Sequence, residues 1–254
     1  AHLHASEYDR SGEHVNERIR RIEELGLHGA DRVICVSHYT KNIARTRYGV
    51  DDRKLRAVHN AVTHNEQLER IHVKKPFDDP IVLFLGRVTF QKGPDYFLEA
   101  AARVVAVQPN VKFVMSGSGD MLPRMVERAA NLGIARNVHF TGFLRGRDVE
   151  RMYAMADLYV MPSVSEPFGI SPLEAMALDV PVIGSRQSGV SEILRNALKV
   201  DFWDVREMAN KILALLRHPA LQEQLVGEGR DEIRRIRWDH SAGLVRDVYT
   251  ELVR

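Results

Sequence analysis

Residues 166–177, EPFGISPLEAMA, decide how this chain folds. An apolar run at 158–161 leads into this stretch, and a second apolar run at 180–184 follows it. The order of strand, polar loop, helix and strand predicts one βαβ unit, with the loop at the carboxyl end of a strand. At that position the free N–H groups and the positive end of a helix can hold an anion or several hydroxyl groups.

Two acids in this stretch, Glu166 and Glu174, are eight residues apart. Eight helical residues rise about 12 Å, whereas the paired carboxylates of glycoside hydrolases lie roughly 5–10 Å apart. We therefore expect the two acids to contact different ends of one ligand instead of acting together on one bond. A second interpretation stays open, in which Glu166 caps the helix and Glu174 is a solvated helix residue.

The alternation of strands and helices extends to both sides of this unit. From residue 81 onward, short apolar runs alternate with helical patterns, which predicts an α/β domain with a mostly parallel sheet. Strand patterns at 32–37 and 55–59 predict a second, smaller lobe before it. Residues 14–25 show helical spacing, and we expect that helix to end at Gly26.

The composition excludes several classes of protein. The 254 residues carry a net charge of +2, which gives no reason to expect nucleic acid as a partner. The single cysteine, Cys35, lies in an apolar run, which indicates a reducing, cytoplasmic location. No apolar run approaches the roughly 20 residues of a membrane span. The start at Ala1 without a methionine indicates a piece of a longer polypeptide.

Two cations, Arg87 and Lys92, flank a loop that follows a predicted strand and is bounded by Gly86 and Gly93. Arginine can bind two phosphate oxygens at once and lysine adds a point charge, so this loop suits a diphosphate. The alternative interpretation is a pair of surface cations beside a turn.

The remaining motifs mainly exclude classes of protein and kinds of site. Residues 117–119, Gly-Ser-Gly, permit a close backbone approach but are weak evidence by themselves. No G-x-G-x-x-G or Walker A sequence is present, which disfavours a dinucleotide dehydrogenase or a P-loop NTPase. The histidines lack the tight spacing of zinc ligands, so we expect exposed loop histidines and no metal site.

Three features in this order, residues 86–93, residues 116–119 and the Glu166-x7-Glu174 spacing, resemble the donor-binding domain of retaining GT-B glycosyltransferases of family 4. The resemblance implies a Rossmann-like donor domain and a partial second Rossmann-like lobe. It divides the chain into the end of an N-terminal acceptor lobe at 1–70, a linker at 71–80, a nucleotide-sugar donor-binding domain at 81–236, and a helix at 237–254 that packs back toward the N-terminal lobe.

The resemblance also implies roles for individual residues. Glu166 would contact the donor sugar near the reacting centre, and His4 would be the active-site histidine, with His2 competing for that role. Glu174 would bind the ribose hydroxyls, and the backbone near Leu144 would face the base. The donor-binding set that it implies is Gly86, Arg87, Lys92, Gly117, Leu144, Phe168, Gly169, Ile170 and Glu174.

The implied activity is transfer of a sugar from a nucleotide-diphosphate sugar to a saccharide or lipid-linked acceptor. The family retains the anomeric configuration and needs no metal or other cofactor, and peripheral contact with a membrane is compatible with such an acceptor. Because most of the acceptor lobe is absent from the chain, we expect donor binding with poor transfer. A non-catalytic nucleotide-sugar binding fragment and an epimerase of the same fold stay open as alternatives.

Overall fold

The computed structural model describes residues 1–63, 73, 75 and 77–253, which form two parallel sheets with helices around them. The small sheet consists of β1 His2–Leu3, β2 Val33–Cys35 and β3 Leu55–Ala57, in that order. Three helices accompany it: α1 Glu7–Ser11, α2 Glu17–Gly29 and α3 His38–Arg47. Buried apolar side chains from these elements form a core of their own, which makes this part a separate α/β lobe.

Helix α2 differs from the sequence-based expectation because it continues through Gly26 to Gly29. A glycine inside a helix costs roughly 1 kcal/mol relative to alanine. Leu27 follows at once and is 4 % exposed in the core under the small sheet. Packing of Leu27 therefore outweighs the weak helix preference of Gly26, and the predicted end of this helix was wrong.

The large sheet has six parallel strands: β4 Ile81–Leu85, β5 Lys112–Ser116, β6 Val138–Gly142, β7 Leu158–Met161, β8 Val182–Ser185 and β9 Leu198–Val200. Their order across the sheet is β6-β5-β4-β7-β8-β9. The chain thus winds outward on one side of β4, returns to the centre at β7 and winds outward on the other side. This doubly wound topology confirms the expected Rossmann-like fold.

Both faces of the large sheet are covered by helices. Val82 and Phe84 of β4 point into one apolar cluster, and Ile81 and Leu83 point into the other, as the two-residue period of a strand requires. The first face carries α4 Pro94–Val105, α5 Leu122–Asn131 and α8 Val205–Arg217. The second face carries α6 Arg147–Met155 and α7 Ser171–Ala177. Helix α9 Pro219–Ile233 contacts both clusters, with Leu221 and Leu225 on the first face and Ile233 on the second. Burial on both sides explains why β4 is a continuous apolar run.

The last helix, α10 Trp238–Val253, lies against the small sheet although the chain reaches it from the large one. Val248 of α10 packs with Ile34 and Val58. The carboxylate of Glu251 pairs with two arginines beside the small sheet, Arg32 at 3.2 Å and Arg56 at 2.8 Å. Helix α10 therefore ties the two ends of the chain together.

The expected linker at 71–80 is described only in part, because residues 71, 72, 74 and 76 lie outside the described residues. Within it, Lys75 pairs with Asp157, whose carboxylate also accepts from the Ile81 N–H at 2.7 Å. Among the described helices, none has the length and apolarity that crossing a bilayer demands.

Candidate functional site

The strand order places two loops at the centre of the large sheet. Strands β4 and β7 are neighbours, and the chain leaves them in opposite directions, so a crevice opens between the loops that follow their carboxyl ends. One of these loops, 86–93, contains Arg87 and Lys92. The other, 162–170, contains Glu166. The topology therefore brings the predicted cations and the predicted catalytic acid to one place.

Loop 86–93 touches a second loop, 117–119, through their backbones. A Cβ added to Gly117 would overlap the carbonyl oxygen of Gly86, and one added to Gly119 would overlap that of Val88. Hydrogen bonds fix this contact, with the Val88 N–H donating to the Ser118 carbonyl at 2.9 Å. The two glycines of the Gly-Ser-Gly sequence are thus required by the close packing of two loops. The sequence alone indicated only that such a close approach is possible.

A cavity of about 420 Å³ opens beside these loops. It lies within the size range of small-ligand pockets, roughly 300–1,000 Å³. Four of the predicted donor-binding residues, Gly86, Arg87, Gly117 and Leu144, contribute to its wall. The complete lining is Leu85, Gly86, Arg87, Ser116, Gly117, Ser118, Phe143, Leu144 and Val149. Leu85, Phe143, Leu144 and Val149 give this wall an apolar surface, which suits a flat aromatic ligand.

An ion pair joins the two central loops: the Lys92 ammonium donates to the Glu166 carboxylate. Glu166 is 7 % exposed, and its carboxylate lies 3.4 Å from the Ser163 hydroxyl. Its backbone is fixed as well, because the Glu166 N–H donates to Gln187 and its carbonyl accepts from Gly189. Glu166 is therefore a buried, immobilised acid, and it does not cap α7, which begins five residues later.

Backbone geometry brings Lys92 to this position. It ends a single-turn helix, Phe90–Lys92, and Gly93 follows in the left-handed region at φ 65°. A Cβ at Gly93 would overlap the Pro162 carbonyl, so glycine lets the turn press against the end of β7. The buried Gln91 accepts from the Arg87 guanidinium at 3.0 Å and its carbonyl accepts from the Val164 N–H at 2.9 Å. Gln91 thus connects Arg87 to the second loop.

Glu174 lies in different surroundings, one turn into α7. Its carboxylate accepts a hydrogen bond from the Tyr153 hydroxyl at 3.1 Å. Burial raises the pKa of Glu174, and the Tyr153 hydrogen bond offsets this only in part. Burial also raises the pKa of Tyr153 well above its ordinary value, so the phenol remains the donor. Glu174 is a desolvated acid, which contradicts the interpretation as a solvated helix residue.

A second tyrosine joins α7 to the cavity. The Tyr159 hydroxyl donates to the Leu85 carbonyl at 3.3 Å and shares a hydrogen bond of 2.8 Å with the Ser171 hydroxyl. Leu85 lines the cavity, and Ser171 opens the helix that carries Glu174. Sequence reasoning missed Tyr153, Tyr159 and Gln91, because their roles depend on which loops meet and no spacing in the chain marks them.

The segment 168–170 follows Glu166 directly. Phe168 is buried, Ile170 is exposed, and Gly169 between them adopts φ 92°. A Cβ at Gly169 would come within 2.9 Å of the Glu166 Cγ atom, so a side chain there would collide with the acid. The structure therefore places the backbone of Gly169 against Glu166. Donor contacts at residues 168–170 stay a prediction.

The small-sheet lobe holds the Glu166 loop from the other side. The Pro167 carbonyl accepts from the Ser37 hydroxyl at 2.6 Å and from the Thr40 hydroxyl at 3.1 Å. The Ser165 hydroxyl donates to Asp9 at 2.7 Å and contacts the Tyr39 hydroxyl at 2.9 Å. The two lobes are thus hydrogen-bonded through the residues that flank Glu166.

His4 follows β1 and is exposed, and its ring stacks on that of His2 at 6.2 Å. His2 in turn contacts the Tyr249 hydroxyl of α10 at 3.3 Å. Burial, followed by the positive charges of the N-terminus and of His4, lowers the pKa of His2. These contacts do not bring His4 to the Lys92–Glu166 pair, so its catalytic role stays a prediction.

Comparison with known families gives two matches that together cover residues 1–232. The family model described as glycosyl transferases group 1 matches residues 65–232. The model described as glycosyltransferase family 4 matches residues 1–66.

Individual relatives agree with these matches. An uncharacterized glycosyltransferase of Methanocaldococcus jannaschii is 29% identical over 97% of this chain and 67% of its own length. The alpha-D-kanosaminyltransferase of Streptomyces kanamyceticus is 31% identical over 58% of this chain and 39% of its own. A D-inositol 3-phosphate glycosyltransferase of a Nocardioides species is 26% identical over 89% and 55%. The chain thus spans 39% to 67% of the length of these relatives.

Solved structures show the same fold. Sucrose-phosphate synthase from Thermosynechococcus elongatus superposes with a TM-score of 0.84 at 26% identity, over 99% of this chain and 67% of that one. Alr3699/HepE of Anabaena, solved with UDP and glucose, superposes with a TM-score of 0.84 at 20% identity, over 98% and 71%. At this second level of identity the likeness concerns the fold alone.

Proposed function

The chain belongs to the glycosyl transferases group 1, a family of GT-B glycosyltransferases, and from this membership we propose that it is the donor-binding part of a retaining, metal-independent hexosyltransferase. The substrate is a nucleotide-diphosphate sugar, and the acceptor is a saccharide or a lipid-linked molecule. The observation that carries the proposal is the Lys92–Glu166 pair at the crevice between β4 and β7, beside a cavity lined by Gly86, Arg87 and Gly117.

The cavity accounts for the nucleoside end of the donor. Its apolar wall suits a base, which would meet the backbone near Leu144. Glu174 then takes the ribose hydroxyls, because a buried carboxylate with a spare oxygen is a strong acceptor for paired hydroxyl donors. Alr3699/HepE of Anabaena, which has the same fold, was solved with UDP, so a uridine nucleotide is the first donor base to test.

The two cations account for the diphosphate. Arg87 reaches the cavity, and Lys92 stands at the crevice with its charge balanced by Glu166. A diphosphate entering here competes for the Lys92 ammonium, which releases the Glu166 carboxylate toward the sugar. Breaking the bond between sugar and diphosphate places negative charge on the leaving group, and preorganised cations lower that barrier. Under this proposal the cations supply the stabilisation for which other transferases employ a metal ion.

Retention of configuration rests on the family resemblance and on the position of Glu166 beside Gly169. An acid held near the anomeric carbon would stabilise positive charge on the sugar while the acceptor attacks from the face of the leaving group. His4 is proposed as the histidine that faces the acceptor side. The boundaries 1–70, 71–80, 81–236 and 237–254 and the cytoplasmic location are parts of the same proposal.

A panel of UDP-, GDP- and ADP-sugars tests the function directly. Calorimetry first identifies the donor that binds, and the reaction is then followed for free nucleotide and for epimerised sugar. With an acceptor saccharide present, a transferase moves the sugar to it, slowly in this chain, releases the nucleotide and leaves unreacted donor with its original sugar. Epimerised donor would support the epimerase, and binding without either product would support a non-catalytic fragment. Absence of binding to every nucleotide sugar would reject the proposed site altogether.

A further inference from the structure

A cluster of three potential metal ligands lies at the seam between the two lobes and takes no part in the proposed donor site. His38 opens α3, His59 follows β3, and Glu192 belongs to a single-turn helix, Gly189–Glu192, of the large-sheet part. One ligand atom from each of the three side chains lies within 4.8 Å of the others. We propose that these side chains form a binding site for a divalent transition metal, with zinc as the most suitable ion.

The carboxylate of this cluster is held in place before any metal arrives. Oε2 of Glu192 accepts from the His38 N–H at 2.8 Å, and Oε1 accepts from the Tyr39 N–H at 2.5 Å. His59 Nε2 lies 2.8 Å from Oε2. These three contacts fix the position and orientation of the carboxylate before an ion binds.

The donor atoms have the chemistry of a zinc site. Zinc accepts imidazole nitrogen and carboxylate oxygen at about 2.0–2.2 Å, so ligand atoms around one tetrahedral ion lie roughly 3.3 Å apart. The pair of His59 Nε2 and Glu192 Oε2 is slightly closer than this, and a small separation admits the ion between them. The His38 ring, 5.6 Å from the His59 ring, is exposed and can rotate to supply the third ligand. Water would complete the tetrahedron.

The surroundings set the expected strength of binding. Glu192 caps the N-terminus of α3, and the positive end of a helix opposes a cation. The carboxylate lies between the helix end and the ion, so the repulsion is reduced but not removed. We expect zinc to bind more weakly here than at a fully buried structural site.

Occupancy would connect the lobes at a functional place. Glu192 lies in the same single-turn helix as Gly189 and Val190, whose N–H groups donate to the carbonyls of Glu166 and Phe168 at 2.9 and 2.7 Å. His59 also approaches the Phe168 ring, with centroids 6.0 Å apart. A metal bridging two histidines of one lobe and a glutamate of the other would stabilise the loop that carries the proposed catalytic acid.

The test titrates zinc chloride into the full chain by calorimetry and measures the thermal unfolding midpoint with and without the metal. We expect one equivalent to bind and the midpoint to rise, because a ligand specific for the folded state stabilises it. His38→Gln and His59→Gln should each weaken binding by on the order of tenfold or more, since even outer-shell partners have effects of that size. His59→Gln keeps a hydrogen-bond donor for Glu192, so the seam itself remains intact.

His218→Gln is the matched control, because His218 is an exposed histidine at the start of α9, away from the cluster. It should bind zinc as the unchanged protein does. The proposal is overturned if zinc gives no binding heat, if both His38→Gln and His59→Gln bind as tightly as the unchanged protein, or if His218→Gln loses as much affinity as they do. None of these readouts requires a nucleotide sugar, so the outcome is independent of the donor site.

Discussion

Glu166 and Glu174 belong to one stretch of sequence, yet they occupy opposite electrostatic environments. Glu166 lies at the seam between the lobes, where it is buried against the Lys92 ammonium. Glu174 lies inside the large-sheet part, where its neighbour is the neutral Tyr153 hydroxyl and burial raises its pKa. Two acids eight residues apart are thus held in different ways, Glu166 by a buried ammonium that balances its charge and Glu174 by a neutral phenol. Under the proposed function, the first acid responds to charge that develops on the sugar and the second binds the ribose hydroxyls.

The largest expected effect concerns the charge-balanced acid. Glu166→Gln should leave nucleotide binding within a factor of about three while transfer falls by roughly 100-fold or more, the size found when one group that stabilises transition-state charge is removed. Transfer is measured as acceptor-dependent release of free nucleotide from the donor that the panel identifies. Equal losses in Glu166→Gln and Glu174→Gln would erase the distinction between the two acids.

The next effect concerns the cations. Arg87→Ala and Lys92→Ala should each weaken nucleotide-sugar affinity by about tenfold or more, since a hydrogen bond to a charged group contributes about 1.5–3 kcal/mol. Calorimetry with the bound donor measures this. Arg124→Ala removes a cation that is 67% exposed on α5 and serves as the control. Unchanged affinity in both site variants would reject the assignment of the diphosphate.

The free energy of unfolding should decrease when Glu166 loses its cation and increase when Glu174 loses its charge. Lys92→Ala leaves the Glu166 carboxylate buried without its cation, which should lower the free energy of unfolding by about 1–3 kcal/mol. Urea unfolding at neutral pH, compared with Arg124→Ala, checks this. A Lys92→Ala variant as stable as the control would show that the Glu166 carboxylate is hydrated and its charge is not balanced by Lys92.

The smallest expected effect is a gain in the free energy of unfolding, and it concerns Glu174. Because burial raises the pKa of Glu174 above 4.5, the folded chain holds this proton more tightly than the unfolded chain. Its favourable contribution is present below the unfolded pKa and is lost as the pH rises through the folded pKa. Glu174→Gln should remove this loss, so above that pKa the variant gains stability, by less than about 1 kcal/mol.

Urea unfolding of Glu174→Gln between pH 4 and pH 8 measures this pH dependence. The unchanged protein should lose stability relative to the variant as the pH rises. Parallel curves for the two proteins would show that Glu174 titrates normally, and the contrast with Glu166 would then be one of position alone.

The sequence predicted the fold well because a continuous apolar strand such as 81–85 has one stable environment, the centre of a parallel sheet. It also predicted that the loops with Arg87, Lys92 and Glu166 lie at one edge of the sheet, since all follow the carboxyl ends of parallel strands. It could not predict that Lys92 pairs with Glu166, because that contact spans 74 residues and depends on the turn at Gly93. The hydrogen bond between Ser37 and Pro167 likewise depends on tertiary packing. So does the continuation of α2 through Gly26.

The central claim is that Arg87 and Lys92 bind the diphosphate of a nucleotide sugar beside Glu166. The most direct measurement compares the affinity of a nucleoside diphosphate with that of its monophosphate, in the unchanged chain and in the Arg87→Ala/Lys92→Ala double variant. We expect the unchanged chain to prefer the diphosphate by about tenfold or more and the double variant to lose this preference. A preference of equal size in both proteins would contradict it.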